Sequence, residues 1–181
     1  MSFHHNLFAH NSSRNPRFDH PKLYWENDLL HFRGTVDFVN NVVYNWGMKA
    51  IYGGEEGWFN VVNNIFRPGP ATRSNGEWLD ISTSETTSMI KGSFYVEGNE
   101  YDAADVEDDR SESERFVTSV TINEQSAREA YKAVLKSVGA SHRRDAIDRR
   151  IIREVRKGTA TFKGSVTGLP GIIDSETDVL K

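Results

Sequence analysis

Three short stretches, FHHNLF (residues 3–8), FVNNVV (38–43) and VVNNIF (61–66), each place an asparagine among apolar or aromatic residues in the same way. A less regular copy, YVEGNEY, follows at residues 95–101. The copies recur at intervals of roughly 23 to 35 residues, which is typical of proteins built from stacked repeats. Each stretch is too short for a helix and is rich in β-branched and aromatic residues, so we predict strands that stack as a β-solenoid.

The repeated asparagines have a physical role in such an architecture. They are Asn6, Asn41, Asn64 and Asn99. Equivalent corners of stacked coils lie one strand spacing apart, about 4.8 Å, so the amide of one asparagine can donate a hydrogen bond to the next. The alternative is that asparagine is simply common in turns. The apolar pattern that repeats around each asparagine favours the ladder.

The rest of the chain divides into loops and helices. We expect loops at residues 67–80, which contain Pro68-Gly-Pro70, and at the acidic residues 102–115, which lack the spacing of a calcium-binding loop. Apolar residues at helical spacing predict one helix over 126–138 and a second that begins at an Asp145 N-cap and ends at Gly158. Residues 1–122 are therefore predicted to form coils, and residues 123–181 a helical and irregular extension packed on the same domain.

Composition limits the classes of function. The net charge of −4 argues against nucleic acid as the partner, and the lack of cysteine excludes disulfides and thiolate chemistry. No run of about 18 apolar residues occurs, so we expect no membrane span. No signal peptide is visible at the N-terminus, which reads as the inside of a folded segment. We therefore expect that an upstream portion of the protein precedes it.

The segment HHNLFAHNSSRNPRF (residues 4–18) is the strongest candidate for a functional site. It leads from a coil directly into Arg14 and Arg17, which flank Pro16. Proline restricts its own backbone and that of the preceding residue, so both arginines are expected on a stiff segment. Guanidinium groups make bidentate contacts with carboxylates, which suits a polyanion that carries carboxylates at regular intervals.

This segment resembles the pectate lyase family of polysaccharide lyases, whose signature runs Arg-x-Pro-x-x-Arg. Arg14 and Pro16 match the signature, its last arginine falls on Asp19, and Arg17 is a candidate to supply the lost positive charge. The resemblance extends over nearly the whole chain, through VNNVVYNWG (39–47), YGGE (52–55), NVVNNIFRPGPAT (60–72), GASHRRDAID (139–148) and GIIDS (171–175).

The resemblance implies a right-handed parallel β-helix, here a truncated solenoid, with the two C-terminal helices packed on it. It also implies β-elimination: the family removes the C5 proton of a galacturonate unit and expels the glycosidic oxygen. The residue that aligns with the family's proton acceptor is Arg14. An arginine is a poor base at neutral pH, so this role needs alkaline conditions or a strongly electropositive site.

The resemblance also implies a cofactor, a partner and a location. The cofactor is Ca²⁺, with ligands expected upstream of this chain and none within it. The partner is an acidic plant polysaccharide, pectate or polygalacturonate, and the protein is expected to be secreted or periplasmic. Arg17 is then a substrate-binding candidate. Trp25, near the motif in an apparent loop, is a candidate for stacking on a sugar ring.

Several alternatives remain open on the residues themselves. Arg14 can instead form only an ion pair with a carboxylate. The chain can be a non-catalytic carbohydrate-binding solenoid or an inactive fragment. A glycoside hydrolase on the same fold would need paired acids across a cleft, and the sequence indicates no such pair.

Overall fold

The computed structural model describes residues 1–18, 34–55, 57–81, 92–102, 104–106 and 111–175. In chain order the strands are β1 (Ser2–His4), β2 (Leu7–Ala9), β3 (Arg17–Phe18), β4 (Thr35–Val39), β5 (Val42–Tyr44), β6 (Lys49–Gly53), β7 (Trp58–Val62), β8 (Ile65–Arg67), β9 (Glu77–Ile81), β10 (Ser93–Glu97), β11 (Asn99–Tyr101) and β12 (Ala104–Val106). The helices are α1 (Ala127–Ser137) and α2 (Ala146–Lys157).

The strands form three sheets, each of which takes one strand from each successive coil. Sheet A has the order β1-β4-β7-β10, sheet B the order β2-β5-β8-β11-β12, and sheet C the order β3-β6-β9. All neighbouring pairs are parallel except β11 and β12, which are antiparallel. The protein is therefore mostly β with parallel sheets and two helices, consistent with the predicted parallel β-helix.

The predicted asparagine ladder is present at the corner between sheets A and B. The side-chain amide nitrogen of Asn6 donates to Oδ1 of Asn41 at 3.0 Å, Asn41 to Asn64 at 3.2 Å, and Asn64 to Asn99 at 2.9 Å. Each Oδ1 also accepts the backbone N–H of the preceding asparagine, at 2.8 to 3.0 Å. The ladder therefore satisfies both backbone and side-chain groups that the corner buries.

The residue before each ladder asparagine has a left-handed backbone, which turns the chain from sheet A into sheet B. These residues are His5, Asn40, Asn63 and Gly98, with φ between 53° and 64°. Only Gly98 escapes the steric cost of this region, because a Cβ raises its energy in other residues. The ladder hydrogen bonds offset that cost at the other three corners.

The space between the sheets is filled by aromatic and aliphatic side chains. Phe18 of sheet C stacks on Phe59 of sheet A with ring centroids 4.6 Å apart, and Phe59 stacks on Phe94 at 4.8 Å. All three rings are at most 4% exposed. This stack connects β3, the strand that contains Arg17, to sheet A. The core therefore supports β3 from the interior side.

Both helices begin and end where the sequence predicts. Ser126 caps α1 in a capping box with Glu129, and Asp145 caps α2 through the backbone N–H of Asp148. Gly158 ends α2 in a left-handed conformation. Residues of α1 and α2, including Val134, Leu135 and Val155, pack on the outer face of sheet B. Within the described ranges, neither helix is long and apolar enough to cross a membrane.

The predicted loops are shorter than expected. The loop predicted over residues 67–80 ends at Glu77, where β9 begins and pairs with β6. The acidic segment predicted as a loop over 102–115 contains the short strand β12. In both cases pairing with a neighbouring strand outweighs a local sequence rich in turn-forming or charged residues.

A buried His10–Glu154 pair joins α2 to the coils. His10 Nε2 lies 3.0 Å from Glu154 Oε2, off ideal hydrogen-bond geometry, and the Glu154 side chain is 2% exposed. Asn45 accepts the backbone N–H of Ala71 at 2.7 Å, which orients its amide so that Nδ2 donates to His10 Nδ1 at 2.8 Å and to the Pro170 carbonyl at 2.9 Å. His10 is therefore neutral, with its proton on Nε2 facing Glu154.

The energetics of this pair agree with its geometry. Burial, as the largest cause, and the nearby Arg150 lower the pKa of His10 below its ordinary value of 6.5, and together they outweigh Glu154, which raises it. Burial also raises the pKa of Tyr44 to about 12, and its hydroxyl donates to the Thr159 carbonyl at 2.8 Å. These polar groups join the C-terminal part of the chain to β5 and to the connection that follows β2.

Replacing Asn64 by leucine should destabilise the protein by about 3 kcal/mol or more. Asn64 is fully buried, and the change removes the acceptor of both the backbone N–H and the side-chain amide of Asn41. It also removes one donor to Asn99 Oδ1 and one to the Phe38 carbonyl. A buried polar group that is left unsatisfied costs about 1–3 kcal/mol. Chemical denaturation measures the effect. The exposed Asn123→Ala is the control and should change stability by less than about 0.5 kcal/mol. Equal stabilities for the two variants would contradict the role of the ladder.

Acid should weaken the folded state through His10. Because the pKa of His10 is lower in the folded than in the unfolded state, the unfolded state binds the extra proton first. The contribution of neutral His10 to the free energy of unfolding is then fully present above pH 6.5. It is lost as the pH falls towards the pKa of His10 in the folded state, with a slope of at most about 1.4 kcal/mol per pH unit.

The His10→Gln variant tests this, because glutamine keeps a polar amide beside Glu154 but does not titrate. Its free energy of unfolding, measured by denaturation between pH 7.5 and 5, should fall less steeply than that of the wild type. A control variant, His142→Gln, changes an exposed histidine and should keep the wild-type slope. Identical slopes in all three proteins would rule out His10 as the titrating group.

Candidate functional site

The outer face of sheet C carries the two arginines of the Arg-x-Pro-Arg segment. Arg14 and Arg17 are exposed, whereas Asn15 and Phe18 are buried. The backbone N–H of Arg14 donates to the Lys49 carbonyl at 3.1 Å, and that of Asn15 to the Ala50 carbonyl at 2.6 Å. The segment is therefore held along β6, with its arginines outward and its alternate residues in the interior.

Arg14 occupies a left-handed corner of its own. Its φ is 64°, a region that is unfavourable for residues with a Cβ. The hydrogen bond to Lys49 and the parallel pairing of Arg17 with Tyr52 fix the chain on both sides of this corner. The position of the Arg14 side chain is thus set by backbone contacts on both sides.

Tyr52 is the centre of the site. Its ring centroid lies 5.3 Å from the guanidinium carbon of Arg14, 5.5 Å from that of Arg17 and 4.9 Å from Nζ of Lys49. Each distance is within the range of a cation–π contact. One half-buried aromatic ring therefore gathers three cations into a single patch, which we call the Tyr52 cluster.

The charge on sheet C changes sign along the coils. Lys49 forms an ion pair with Asp80, which is the residue that pairs with Tyr52 in the next strand. Lys49 itself pairs with Glu77 in the sheet. Positive side chains therefore occupy the first two coils and carboxylates the third. The Tyr52 cluster is suited to an anionic ligand that also carries hydroxyl groups.

The structure brings together two of the three predicted site residues. Arg14 and Arg17 meet over Tyr52, but neither their catalytic nor their binding role follows from position alone. Trp25 and Asp19 lie outside the described residues. Among the other tryptophans, Trp46 is fully buried in the core, and Trp78 packs against Phe66 with ring centroids 5.0 Å apart.

Sequence reasoning missed Lys49, Tyr52 and Asp80. Lys49 and Tyr52 could have been found from the spacing of the ladder. Asn6 and its partner Asn41 are 35 residues apart, and Arg17 and its partner Tyr52 have the same offset. Applying that offset to Arg14 gives Lys49. Asp80 could not be found in this way, since the connection between β8 and β9 changes the spacing of the next coil.

A metal site is not apparent in the part of the chain that the structure describes. No group of three or more histidine, aspartate or glutamate side chains is placed there to hold an ion. Asp80, the acid closest to the Tyr52 cluster, is paired with Lys49. These residues do not fit the oxygen-rich shell of six to eight ligands that calcium takes.

Curated proteins named probable pectate lyase C are similar to nearly the whole chain. The protein from Neosartorya fischeri is 28% identical over 98% of this chain and 42% of its own length. The one from Aspergillus terreus is 28% identical over 96% of the chain and 42% of its own length. The one from Aspergillus oryzae is 30% identical over 86% of the chain and 36% of its own length.

These comparisons confirm the resemblance to the pectate lyase family that the sequence motifs indicate. The chain spans less than half the length of the curated relatives it matches. No protein-family model matches it.

Proposed function

We propose that this chain is part of a pectate lyase that cleaves polygalacturonate by β-elimination, with Arg14 as the proton acceptor and Arg17 as a ligand of the substrate carboxylate. The observation that carries the proposal is the Tyr52 cluster, which gathers the cations of the family-like segment on one exposed sheet face. The relatives named probable pectate lyase C support it along 98% of the chain.

The chemistry balances without an added oxidant or reductant. Under the alkaline conditions that this role requires, Arg14 takes the C5 proton of a galacturonate unit. The electron pair of the C5–H bond becomes part of the C4–C5 double bond, and the bond from C4 to the glycosidic oxygen breaks. That oxygen leaves and takes a proton from water, and the hydroxide so formed takes the abstracted proton back from Arg14. In this proposal Arg17 holds the carboxylate of the unit, with Lys49, the ion-pair partner of Asp80, beside it, and this orients C5 towards Arg14.

The finer features of the family belong to the same proposal. The coils form a right-handed parallel β-helix, residues 1–122 and 123–181 are its coils and packed extension, and the protein acts outside the cytoplasm. Calcium, which the resemblance implies, would be held by residues outside the described part of the chain and would acidify the C5 proton. Trp25 contributes stacking on a sugar ring.

Replacing Arg14 by alanine should abolish the formation of unsaturated uronide by the full-length protein. Loss of a positioned base typically costs about 10²–10⁴-fold in rate. Ultraviolet absorbance of the unsaturated product, recorded with calcium and polygalacturonate, measures the change. The exposed Arg143→Ala lies between the helices and serves as the matched control with wild-type rate. Activity retained in Arg14→Ala would remove Arg14 from the mechanism.

Replacing Arg17 by alanine should act on binding more than on turnover. A hydrogen bond between charged groups contributes enough that its loss at an exposed site lowers kcat/KM by about tenfold. We expect the loss to appear mainly in KM, and Arg17→Lys to restore part of it. A fall in kcat at unchanged KM would instead assign Arg17 to the chemical step.

One alternative is a non-catalytic solenoid that binds pectate. The replacement of the last signature arginine by Asp19 favours this reading. Calorimetry with polygalacturonate separates the two, because a lyase consumes the polymer whereas a binding protein titrates it without releasing unsaturated product.

A further inference from the structure

A cavity of about 420 Å³ lies along α2, beside the segment that leads into it from α1. Its volume is within the range of about 300–1,000 Å³ that small-molecule sites have. Ile152, which is buried, supplies the apolar part of the lining. The other lining residues are all cations; they are Arg144, Arg149, Arg153, Arg156 and Lys157. Five of the 22 lysine and arginine residues therefore meet at one cavity, although the net charge of the chain is −4.

The spacing of the cations along α2 brings them to one side of the helix. Arg149, Arg153 and Lys157 follow one another at intervals of four residues, and Arg156 follows Arg153 at an interval of three. Side chains three and four positions apart are neighbours on a helix surface. All four are exposed, and they form a stripe about 12 Å long at 1.5 Å per residue, which we call the α2 stripe.

The α2 stripe is not needed to cap its own helix. Cations in the last turn of a helix commonly interact with the free carbonyl groups there. In α2, however, Nη1 of Arg67 donates to the carbonyls of Val155 and Arg156, at 2.6 and 3.1 Å. Arg67 belongs to β8, so a residue outside the stripe fills the role of the terminal cation.

The acidic residues of α2 and of its N-cap do not neutralise the stripe. Asp145 accepts the backbone N–H of Asp148, and Asp148 accepts that of Ala140 at 3.2 Å. Glu154 is buried beside His10. Within the part of the chain that the structure describes, no carboxylate forms an ion pair with the stripe. Because like charges at this spacing repel one another, a bound anion would relieve the repulsion.

Arg144 forms a fixed wall of the cavity. Its Nη2 donates to the carbonyls of Leu135, Lys136 and Val138, at 3.2, 2.7 and 3.0 Å. These carbonyls hold the guanidinium at the end of α1 but carry no net charge, so Arg144 stays an uncompensated cation. Its Nε is buried and has no hydrogen-bond partner among the described residues. The lining therefore contains an unsatisfied donor as well as unpaired charge.

The lining is suited to a ligand with clustered phosphate groups. Arginine and lysine side chains donate hydrogen bonds but accept none, so ligand hydroxyl groups would find no acceptor among them. A phosphate monoester carries a charge of about −1.5 to −2 and three strong acceptor oxygens, whereas a carboxylate carries a single charge on two oxygens. In a small cavity with five cations, phosphates therefore balance the charge in less space than carboxylates do.

From these observations we infer that the α2 cavity binds a compact ligand that carries several phosphate groups. Such groups occur on soluble oligophosphates and on the headgroups of phosphoinositide lipids. The helices pack on the outer face of sheet B, whereas the Tyr52 cluster lies on sheet C. The phosphate site is therefore separate from the proposed lyase site and does not rest on the lyase activity.

The test is titration calorimetry of the full-length protein with tripolyphosphate. The double variant Arg149→Gln/Arg153→Gln should bind about tenfold or more weakly than the wild type, because it loses two charge-assisted contacts. Both side chains are exposed and glutamine is a good helix former, so the variant should fold. The control Lys132→Gln/Lys163→Gln removes the same charge at exposed positions outside the cavity and should bind like the wild type. Equal affinities for the two double variants would overturn the site.

Two further ligands identify the chemistry and its source. Citrate, a tricarboxylate, should bind more weakly than tripolyphosphate, and equal binding would overturn the preference for phosphate. Cosedimentation with vesicles of phosphatidylcholine and phosphatidylinositol bisphosphate tests the lipid source. Vesicle binding that is lost only in the Arg149→Gln/Arg153→Gln variant assigns the site to a headgroup, whereas binding of tripolyphosphate alone assigns it to a soluble ligand. Binding of neither would contradict the inference.

Lyase activity separates the two proposals. The Arg149→Gln/Arg153→Gln variant should form unsaturated uronide at the wild-type rate, because the substituted residues lie on α2 and not on sheet C. Loss of phosphate binding with unchanged turnover is the expected result. A parallel loss of turnover would show that the cavity is not separate from the lyase site.

Discussion

The fold depends on the requirement that a buried corner of the backbone must have its polar groups satisfied. At the junction of sheets A and B, one asparagine in each coil meets this requirement for its own coil and for its neighbour. An interior amide such as that of Asn64 can do so only when the next coil is in register. The ladder therefore fixes register as well as supplying stability, because a slip by one residue would leave buried donors and acceptors without partners.

Register then determines the surface chemistry of sheet C. The same offset that aligns Asn6 with Asn41 brings Tyr52 beside Arg17, and the backbone of Arg14 beside that of Lys49. None of the cations around Tyr52 is adjacent to it in the sequence. Lys49 lies in the same strand as Tyr52, whereas Arg14 and Arg17 come from the preceding coil. The proximity of the two arginines to Tyr52 is a product of stacking, supported from inside by the Phe18–Phe59–Phe94 stack. A solenoid can thus build a binding face from single residues contributed by successive coils.

Features that rest on local rules or on a repeated sequence pattern were predictable from the sequence. Contacts between distant residues that share no repeated pattern were not. The ladder and the helix caps at Asp145 and Gly158 follow from residue type and spacing, and the structure contains them. The His10–Glu154 pair joins residues from opposite ends of the chain that share no motif, so nothing local predicts it. Asp80 likewise became a partner of Lys49 only through the length of the connection before β9.

Asn45 has a consequence that reaches beyond its own corner. Its oxygen accepts the N–H of Ala71, within the connection that also carries Arg73, while its nitrogen donates to His10 and to the carbonyl of Pro170. A single amide is thus shared by the connection between β8 and β9 and by the C-terminal segment that contains Pro170. Because both regions use the same amide, their stabilities are coupled. A change that stabilises either region also stabilises the other, and by the same free energy.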